Sequence, residues 1–314
     1  MKYLIFISLF FILTSLSENT NEFTFVNKEF KIVYHKTNGR IDGHYTSYYK
    51  NGQKQAEGDF DNNLRSGTWT LWDTTGKILV QRIYQDPFTF KQIIPTVAND
   101  KPIALLNIPR YKLEYNKDGF IDYSDLREWM VVWSKRIWRN IDEENNEALF
   151  ENNILYSTLN KYIFNDSIKA YADEEFKYAV PTKDIDTANT KVIGFKIKED
   201  SFFDKDRFVF ETRIIGICPL VVKQATNDTT KLYWIYFPQI RKYLAKESVL
   251  GKNLPSKIKT LDDLFFFRCF SSRVYKESNI YDREKKKNMT QEEIDEFELN
   301  LIELEHGMWL YFLQ

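Results

Sequence analysis

Acidic side chains provide the first chemistry that this sequence could carry out. The densest group of carboxylates consists of Glu199, Asp200, Asp204 and Asp206. A pair of carboxylic acids at a suitable separation can hydrolyse glycosidic bonds. One function that these residues could support is therefore a carboxylate-based hydrolase of glycosides or peptides, which would act in the periplasm if the chain is secreted. The group falls between two segments of alternating apolar and polar residues, a position typical of a solvated hairpin loop. We therefore predict an exposed loop here and no catalytic residues.

A second acidic segment has the spacing of a calcium-binding loop. It runs from Glu114 to Asp125, with Gly119 at the sixth place. Its two ends depart from the pattern, because Glu stands at the first place instead of Asp, and Asp stands at the last place, where the longer Glu binds through both oxygens. Pro109 also falls in what would be the entering helix, where proline removes a backbone donor. The sequence therefore predicts no metal site.

We expect the stability of the chain not to depend on calcium. A ligand that binds only the folded state raises the melting temperature, so calorimetry with millimolar calcium should show an unchanged Tm. A rise of many degrees that the variant Asp118→Ala abolishes would contradict this expectation.

Other residue types that carry catalysis are sparse. His35 and His44 are separated from the third histidine, His306, by most of the chain. The sequence contains no Gly-rich loop opening a helix, no nucleophile elbow and no cysteine pair at metal-ligand spacing. Cys218 and Cys269 allow one disulfide, although two buried free thiols are the favoured interpretation. We therefore predict a protein that is not an enzyme and holds no cofactor.

Charge and length narrow the class of protein further. The 44 Lys and Arg residues are balanced by 45 Asp and Glu residues, so the chain has no excess charge that would attract nucleic acid. With 314 residues, of which 16% are aromatic, the chain is long enough for two domains with apolar cores.

The first 17 residues have the layout of a signal peptide. Lys2 precedes an apolar run over residues 3–13, and small or polar residues follow. This run matches the apolar region of roughly 7–15 residues in secretory signals and is shorter than the roughly 20 residues of a spanning helix. We expect cleavage after Ser17, a mature chain that begins at or near Glu18, and no direct membrane span. An uncleaved anchor is the alternative.

The elements that position these residues begin with an internal repeat over residues 39–84. With a period of 24, Gly43, Tyr45, Tyr48, Gly52 and Phe60 recur as Gly67, Trp69, Trp72, Gly76 and Tyr84. Alternating side chains before a glycine that tolerates positive φ predict β-hairpins. The pattern resembles MORN-like repeats, and we predict such a module over residues 18–86. Its aromatic residues Tyr45, Tyr48, Trp69 and Trp72 form either an interaction surface or part of a stabilising appendage.

The rest of the chain has mixed periodicity. Repeated prolines predict a linker over residues 87–120. Apolar spacings of three and four predict a helix from Asp122 through Ile141 and another over residues 152–164. Strands are expected around residues 193–198, 208–217 and 232–237, with Pro238 ending the third. Two closing helices are predicted, over residues 262–275 and from Thr290, where Thr290 and Glu293 form a capping box.

The predicted fold class is therefore α+β. An N-terminal antiparallel hairpin module is followed, over residues 121–314, by a domain of helices and antiparallel sheet.

Four ordered segments of this second domain resemble the GldN (PorN) family of type IX secretion and gliding-motility proteins. They are residues 133–142, residues 197–205 leading into 211–220, residues 234–238, and residues 276–283. The resemblance implies a periplasmic structural subunit of an oligomeric ring, held at the inner face of the outer membrane through a lipoprotein of the GldK (PorK) family. The inner-membrane GldM (PorM) type protein is a further implied partner. The aromatic hairpins depart from the short polar N-terminal region usual in that family, which leaves a MORN-repeat surface or antitoxin-like binding protein as an alternative.

The matching segments contain the candidate partner contacts. Trp138 and Arg139 stand beside the predicted apolar stripe, and Trp and Arg are enriched at interface hot spots. A place for Trp138 at the edge of the core is the alternative. Further candidates in the same segments are Arg136, Lys276, Glu277, Tyr281 and Arg283.

Overall fold

The computed structural model describes residues 20–95, 113–188, 190–223, 228–249, 254–278 and 290–313. The predicted signal peptide lies outside these residues. The first range forms an antiparallel sheet in which each strand pairs with the next along the chain. Its strands are β1 (Thr20–Val26), β2 (Phe30–Thr37), β3 (Arg40–Tyr49), β4 (Lys54–Asp61), β5 (Leu64–Trp72), β6 (Ile78–Asp86) and β7 (Thr89–Ile94). We call it the repeat sheet. Its last strand, β7, lies within the range 87–120 for which the sequence predicts a linker.

The repeat of 24 residues is visible as two equivalent hairpins, β3–β4 and β5–β6. The turn glycines Gly52 and Gly76 have φ of 82° and 87°. Their N–H groups donate to the carbonyls of Tyr49 and Asp73, at 2.9 and 3.0 Å, and close the same turn twice. The hairpins that the sequence predicted are therefore confirmed.

The second domain contains a mixed set of elements in chain order. They are β8 (Val131–Asp142), α1 (Glu147–Phe150), α2 (Ile154–Phe164), β9 (Ala170–Tyr171), β10 (Ala179–Val180), β11 (Thr190–Asp204), β12 (Val209–Lys223), β13 (Thr229–Lys231), β14 (Ile235–Tyr236), α3 (Phe237–Leu244), α4 (Leu261–Phe266), β15 (Arg273–Glu277) and α5 (Gln291–Leu313). The larger sheet has the order β13-β12-β11-β8-β15, with β14 also paired to β12. We call it the second sheet. The α+β class predicted from the sequence is confirmed.

The predicted helix over residues 122–141 is wrong, because most of this segment is strand β8. Only a 3₁₀ turn, Glu128–Met130, precedes the strand. The strand is buried on both faces around Ile137, Trp138 and Arg139, so its apolar residues do not alternate simply with polar ones. In a strand that is covered on both faces, apolar residues no longer alternate with polar ones. The apolar residues that remained at spacings of three and four therefore resembled the pattern of a helix.

Proline and short apolar runs account for two further differences. Pro238 stands in the first turn of α3 rather than ending a strand, since its fixed φ suits the start of a helix. The helix predicted over residues 262–275 stops at Phe266, and Arg273 already belongs to β15. By contrast, α2, β11, β12 and α5 lie where the sequence predicted them. In the capping box, the Glu293 N–H donates to Thr290 Oγ1, and the Thr290 N–H donates to the Glu293 carboxylate.

Two apolar cores organise the molecule. Helices α1–α4 cover one face of the second sheet, in a cluster that includes Phe195, Ile217 and Phe265. Helix α5 lies against the repeat sheet and contributes Leu299 and Trp309 to its core. In the described part of the chain, no helix combines the length and the apolar character needed to cross a bilayer.

Candidate functional site

The aromatic face of the repeat sheet is occupied by helix α5. Tyr45 and Trp69 are both fully buried. The ring of His306 lies 6.2 Å from Tyr45 and 5.6 Å from Trp69, and Trp309 contacts Trp69 edge to face at 6.5 Å. These two repeat aromatics are therefore interior and form no exposed surface, which corrects the expectation that they are surface residues.

The other two repeat aromatics, Tyr48 and Trp72, remain partly exposed. Each ring has a lysine ammonium near it, Lys31 at 5.8 Å from Tyr48 and Lys54 at 5.9 Å from Trp72. Such cation–π contacts at partly exposed sites contribute about 0.5–1 kcal/mol each. These two aromatics stay candidates for binding.

Polar contacts fix α5 to the repeat sheet. The Tyr45 hydroxyl donates to Glu303 at 2.7 Å, and the Tyr34 hydroxyl donates to Asp295 at 2.9 Å. The Arg65 guanidinium donates to Glu305 at 2.9 Å. Three strands are therefore joined to one helix by buried or half-buried hydrogen bonds, at Asp295 and, about two turns later, at Glu303 and Glu305.

Arg82 makes the sheet–helix contact unusually dense. Its side chain is fully buried, with the guanidinium carbon 4.1 Å from the Phe90 ring centroid and 4.0 Å from that of Trp309. Its Nε donates to Gln92 and its Nη1 to the carbonyl of Phe208 in the second domain. Burial lowers the pKa of Arg82 to about 10, so the group remains charged at neutral pH.

His306 is a buried titratable residue in this contact. The ring is 1% exposed and packs among Tyr45, Trp69 and Trp309, with Arg65 nearby. Burial lowers the pKa of His306 below its usual value of 6.5, although the Glu303 carboxylate, 3.3 Å from Nδ1, and Glu305 oppose this shift. The histidine is consequently neutral in the folded protein at pH 7.

We expect the protein to lose stability as the pH falls below about 6.5. Below that value the unfolded state binds a proton that the folded state takes up only at lower pH, so acid favours unfolding. Urea unfolding at pH 7.5 and pH 5.5 would measure this loss. In the control variant His306→Phe the loss between these two pH values should be smaller, and an unchanged loss would assign it to other groups.

The second sheet brings together the candidate contact residues that the structure describes. Strand β15 pairs with β8 so that Lys276 lies opposite Trp138 and Glu277 opposite Ile137. Arg136 and Arg139 belong to the same stretch of β8. Tyr281 and Arg283 lie outside the described residues.

Trp138 is a buried residue at this junction. It is 3% exposed and packs with Cys218 and Trp234. The Lys276 ammonium lies 4.2 Å from the centre of its indole ring, and the Lys198 ammonium lies 5.9 Å from it. This position matches the alternative of a core aromatic, and partner contact through Trp138 remains an untested prediction. Cys218 and the second cysteine, Cys269, are buried free thiols, as expected.

Three of the four acids in the predicted loop, Glu199, Asp200 and Asp204, belong instead to strand β11, whereas Asp206 is exposed in the turn that follows it. Glu199 is fully buried between two arginines, accepting from Arg139 Nε at 2.5 Å and from Arg268 Nη1 at 3.0 Å. Arg139 also pairs with Glu298 of α5. We call Arg139, Glu199, Arg268 and Glu298 the buried charge network. The exposed-loop prediction is wrong for Glu199 and Asp204, which are fully buried and paired with arginines, and holds for Asp206.

The ion pairs of Glu199, Asp200 and Asp204 indicate a structural role for these three carboxylates. Burial raises the pKa of Glu199, but Arg268 and Arg139 outweigh it and hold that pKa below its usual value. Asp204 is fully buried and pairs with Arg207 at 2.6 Å, while Asp200 pairs with Arg136 at 2.7 Å. A general acid requires a raised pKa, so an ionised, doubly paired Glu199 is poorly suited to donate a proton.

A cavity of about 510 Å³ lies where the two sheets and α5 meet. Its walls include Arg65, Arg139 and Arg268, and each of them is already paired with a glutamate. Because each of these positive charges is already neutralised by a glutamate of the same chain, we expect the cavity to attract an anionic ligand only weakly.

The segment with calcium-loop spacing forms a small turn. Tyr115 pairs with Ile121 in an antiparallel bridge, and Gly119 has a φ of 86°. Asn116 accepts from the N–H of Asp118 and donates to Asp122, both at 2.9 Å. The described residues contain no group of three or more His, Cys, Asp or Glu placed to hold a metal. Independence from calcium stays a prediction.

Residues 126–310 match the family model described as "Gliding motility associated protein GldN". The match spans more than half of the chain. It includes β8, the buried charge network, Trp138 with its neighbours Cys218 and Trp234, and most of α5, but not the repeat sheet. A search of curated proteins finds no match.

Proposed function

Because the chain belongs to the GldN family, we propose that it is a structural subunit of a gliding-motility and type IX secretion assembly that acts through protein–protein contact. The observation that carries this proposal is the family match over the second domain. We further propose a periplasmic ring as its place, with an outer-membrane lipoprotein of the GldK (PorK) family as the partner and the GldM (PorM) type protein as a second neighbour.

A non-enzymatic role is supported by the chemistry of the acidic residues. Three of the four candidate carboxylates, Glu199, Asp200 and Asp204, are held in ion pairs with arginines. The pairs of Glu199 and Asp200 join β8 to β11, and Arg139 also connects this sheet to Glu298 of α5. Such links suit a rigid scaffold. The hydrolase alternative has no comparable observation in its favour.

The repeat sheet is proposed to be a stabilising module. Its aromatic face contacts α5, a helix that the family match includes almost completely. A MORN-repeat binding protein that used this face would have to displace α5 first. Any binding by the module would therefore use the opposite side, where Tyr48 and Trp72 lie.

Co-purification from envelope membranes would test the proposal. We expect the tagged full-length chain to bring down a lipoprotein of the GldK family, and to fractionate with soluble periplasmic proteins when that lipoprotein is deleted. The full-length chain is required, because removal of the repeat sheet would expose the apolar side of α5. Recovery of the chain without any such lipoprotein, from membranes that contain it, would contradict the proposed assembly.

A further inference from the structure

A pair of stacked tyrosines lies at the surface between α2 and α3. The ring centres of Tyr162 and Tyr243 are 4.0 Å apart, their planes are inclined by 25°, and both side chains are half-buried. Phe164, in the last turn of α2, is 45% exposed. Tyrosine is enriched at the energetic centres of protein interfaces, because its ring provides apolar area and its hydroxyl a polar end. The stacked pair is therefore suited to contact another protein.

Two lysines make this surface basic. The ammonium groups of Lys242 and Lys246 lie 4.9 and 5.5 Å from the ring centre of Tyr243. Both lysines are exposed, and in the described ranges of the chain no acidic side chain pairs with either of them. Their positive charges are consequently available to a partner. We call Tyr162, Tyr243, Lys242 and Lys246 the basic tyrosine patch.

Helix α1 and the residues beside it carry the opposite charge. Four glutamates, which we call the acidic patch, are exposed here: Glu143, Glu144, Glu147 and Glu151. Among the residues that the structure describes, no Lys or Arg pairs with any of them. The Glu151 N–H donates to the carbonyl of Glu147, so these two residues stand one helical turn apart. Lys242 and Lys246 have the same separation of four positions at the end of α3, so the two charge patterns match in spacing.

The two patches lie at opposite ends of α2. Glu151 precedes the first residue of this helix, whereas Tyr162 belongs to its last turn, and 11 helical residues span about 16 Å. Lys161, also in the last turn, pairs with Glu247 at 3.2 Å rather than with an acid of α1. Within one copy of the chain, neither patch therefore compensates the other.

Charge, spacing and position together specify a second copy of this chain as the occupant. We propose that the acidic patch of one copy docks on the basic tyrosine patch of the next, with Glu147 and Glu151 facing Lys242 and Lys246. Each copy then keeps one free patch of each kind, so the contact is head-to-tail and can repeat until it closes into a ring. This inference rests on the proposed function, because it identifies the contact between neighbouring subunits of the proposed ring.

Sedimentation velocity of the purified full-length protein tests the inference by an exchange of charges. One variant combines Lys242→Glu with Lys246→Glu, and the other combines Glu147→Lys with Glu151→Lys. Each variant alone should self-associate about tenfold more weakly than the parent at low salt, because like charges then meet. An equimolar mixture of the two should associate like the parent, since the intact patches complement each other and so do the reversed ones. Association of the parent should weaken at high salt.

The control variant combines Lys28→Glu with Lys50→Glu, which gives the same net charge as the first variant at exposed turns of the repeat sheet. It should associate like the parent, and all variants should melt within a few degrees of the parent because every changed residue is exposed. A parent that stays monomeric at low salt, an equal loss in the control, or a mixture that fails to associate would overturn the inference. The assay contains no lipoprotein, so its failure is distinguishable from failure of the co-purification that tests the proposed function.

Discussion

Replacing Glu199 by Gln is expected to destabilise the protein by about 3–5 kcal/mol, because the variant removes the counter-charge of the half-buried Arg268 and leaves the buried Arg139 with Glu298 alone. Glu199 is fully buried and accepts from Arg139 and Arg268. A typical domain has only about 5–15 kcal/mol of stability, so the loss would be a large fraction of the total. Equilibrium unfolding in urea would measure it as a lower midpoint at an unchanged slope.

The control for this experiment is the neighbouring residue of the same strand. Asp200 also pairs with an arginine, Arg136, but their side chains are 32% and 38% exposed. Solvent-exposed ion pairs contribute about 0–1 kcal/mol, so Asp200→Asn should shift the midpoint little. If the urea midpoint shifted by a similar amount in the two variants, burial of Glu199 would not explain its contribution to stability.

The same network predicts a dependence on acid. The pKa of Glu199 is lowered in the folded state, so the carboxylate stabilises the protein above its usual pKa of 4.5 and loses this contribution as the pH falls below it. The free energy of unfolding of the parent should therefore converge towards that of Glu199→Gln as the pH falls below about 4.5.

Replacing Trp309 by Ala is the second change with a large expected effect. The side chain is fully buried between the repeat sheet and α5, against Trp69 and Arg82. Removal of a buried Trp typically costs about 3–5 kcal/mol, from lost burial and the cavity that remains. We expect a lower melting temperature together with faster proteolysis at the repeat sheet, because the cover of its aromatic face is weakened.

Tyr311 provides a control two residues away on the same helix. It is 72% exposed, so Tyr311→Ala should change the free energy of unfolding by no more than about 0.5 kcal/mol. If Trp309→Ala melted like Tyr311→Ala, the contact between α5 and the repeat sheet would not contribute to stability in solution.

Local patterns predicted local structure in this chain. The repeat hairpins depend on neighbouring residues and on glycines at fixed turn positions, both of which are visible in the sequence. The start of α5 depends on Thr290 and Glu293, which are three positions apart. The segment at β8 was predicted wrongly because its neighbours in space decide its structure. Strands β11 and β15 flank it, and both of its faces are covered near Ile137.

The candidate site depended still more on distant residues. The charges of β11 attract attention in the sequence as Lys198 and Glu199 within an apolar strand pattern, which is unusual for an exposed loop. The neighbouring sequence does not identify their partners. Arg139 and Arg268 lie 60 and 69 positions from Glu199, and Glu298 lies farther away still. The sequence likewise does not show that Leu299 and Trp309 of α5 pack on the repeat sheet, because the position of that sheet relative to the helix depends on the whole fold.

The contact between α5 and the repeat sheet determines when the molecule can complete its folding. Tyr45 and its hydrogen-bond acceptor Glu303 are 258 positions apart, and Arg65 and Glu305 are 240 apart. During synthesis, the residues that form the sheet are therefore made long before the helix that covers its aromatic rings. Long-range contacts of this kind slow folding and leave apolar surface open to aggregation.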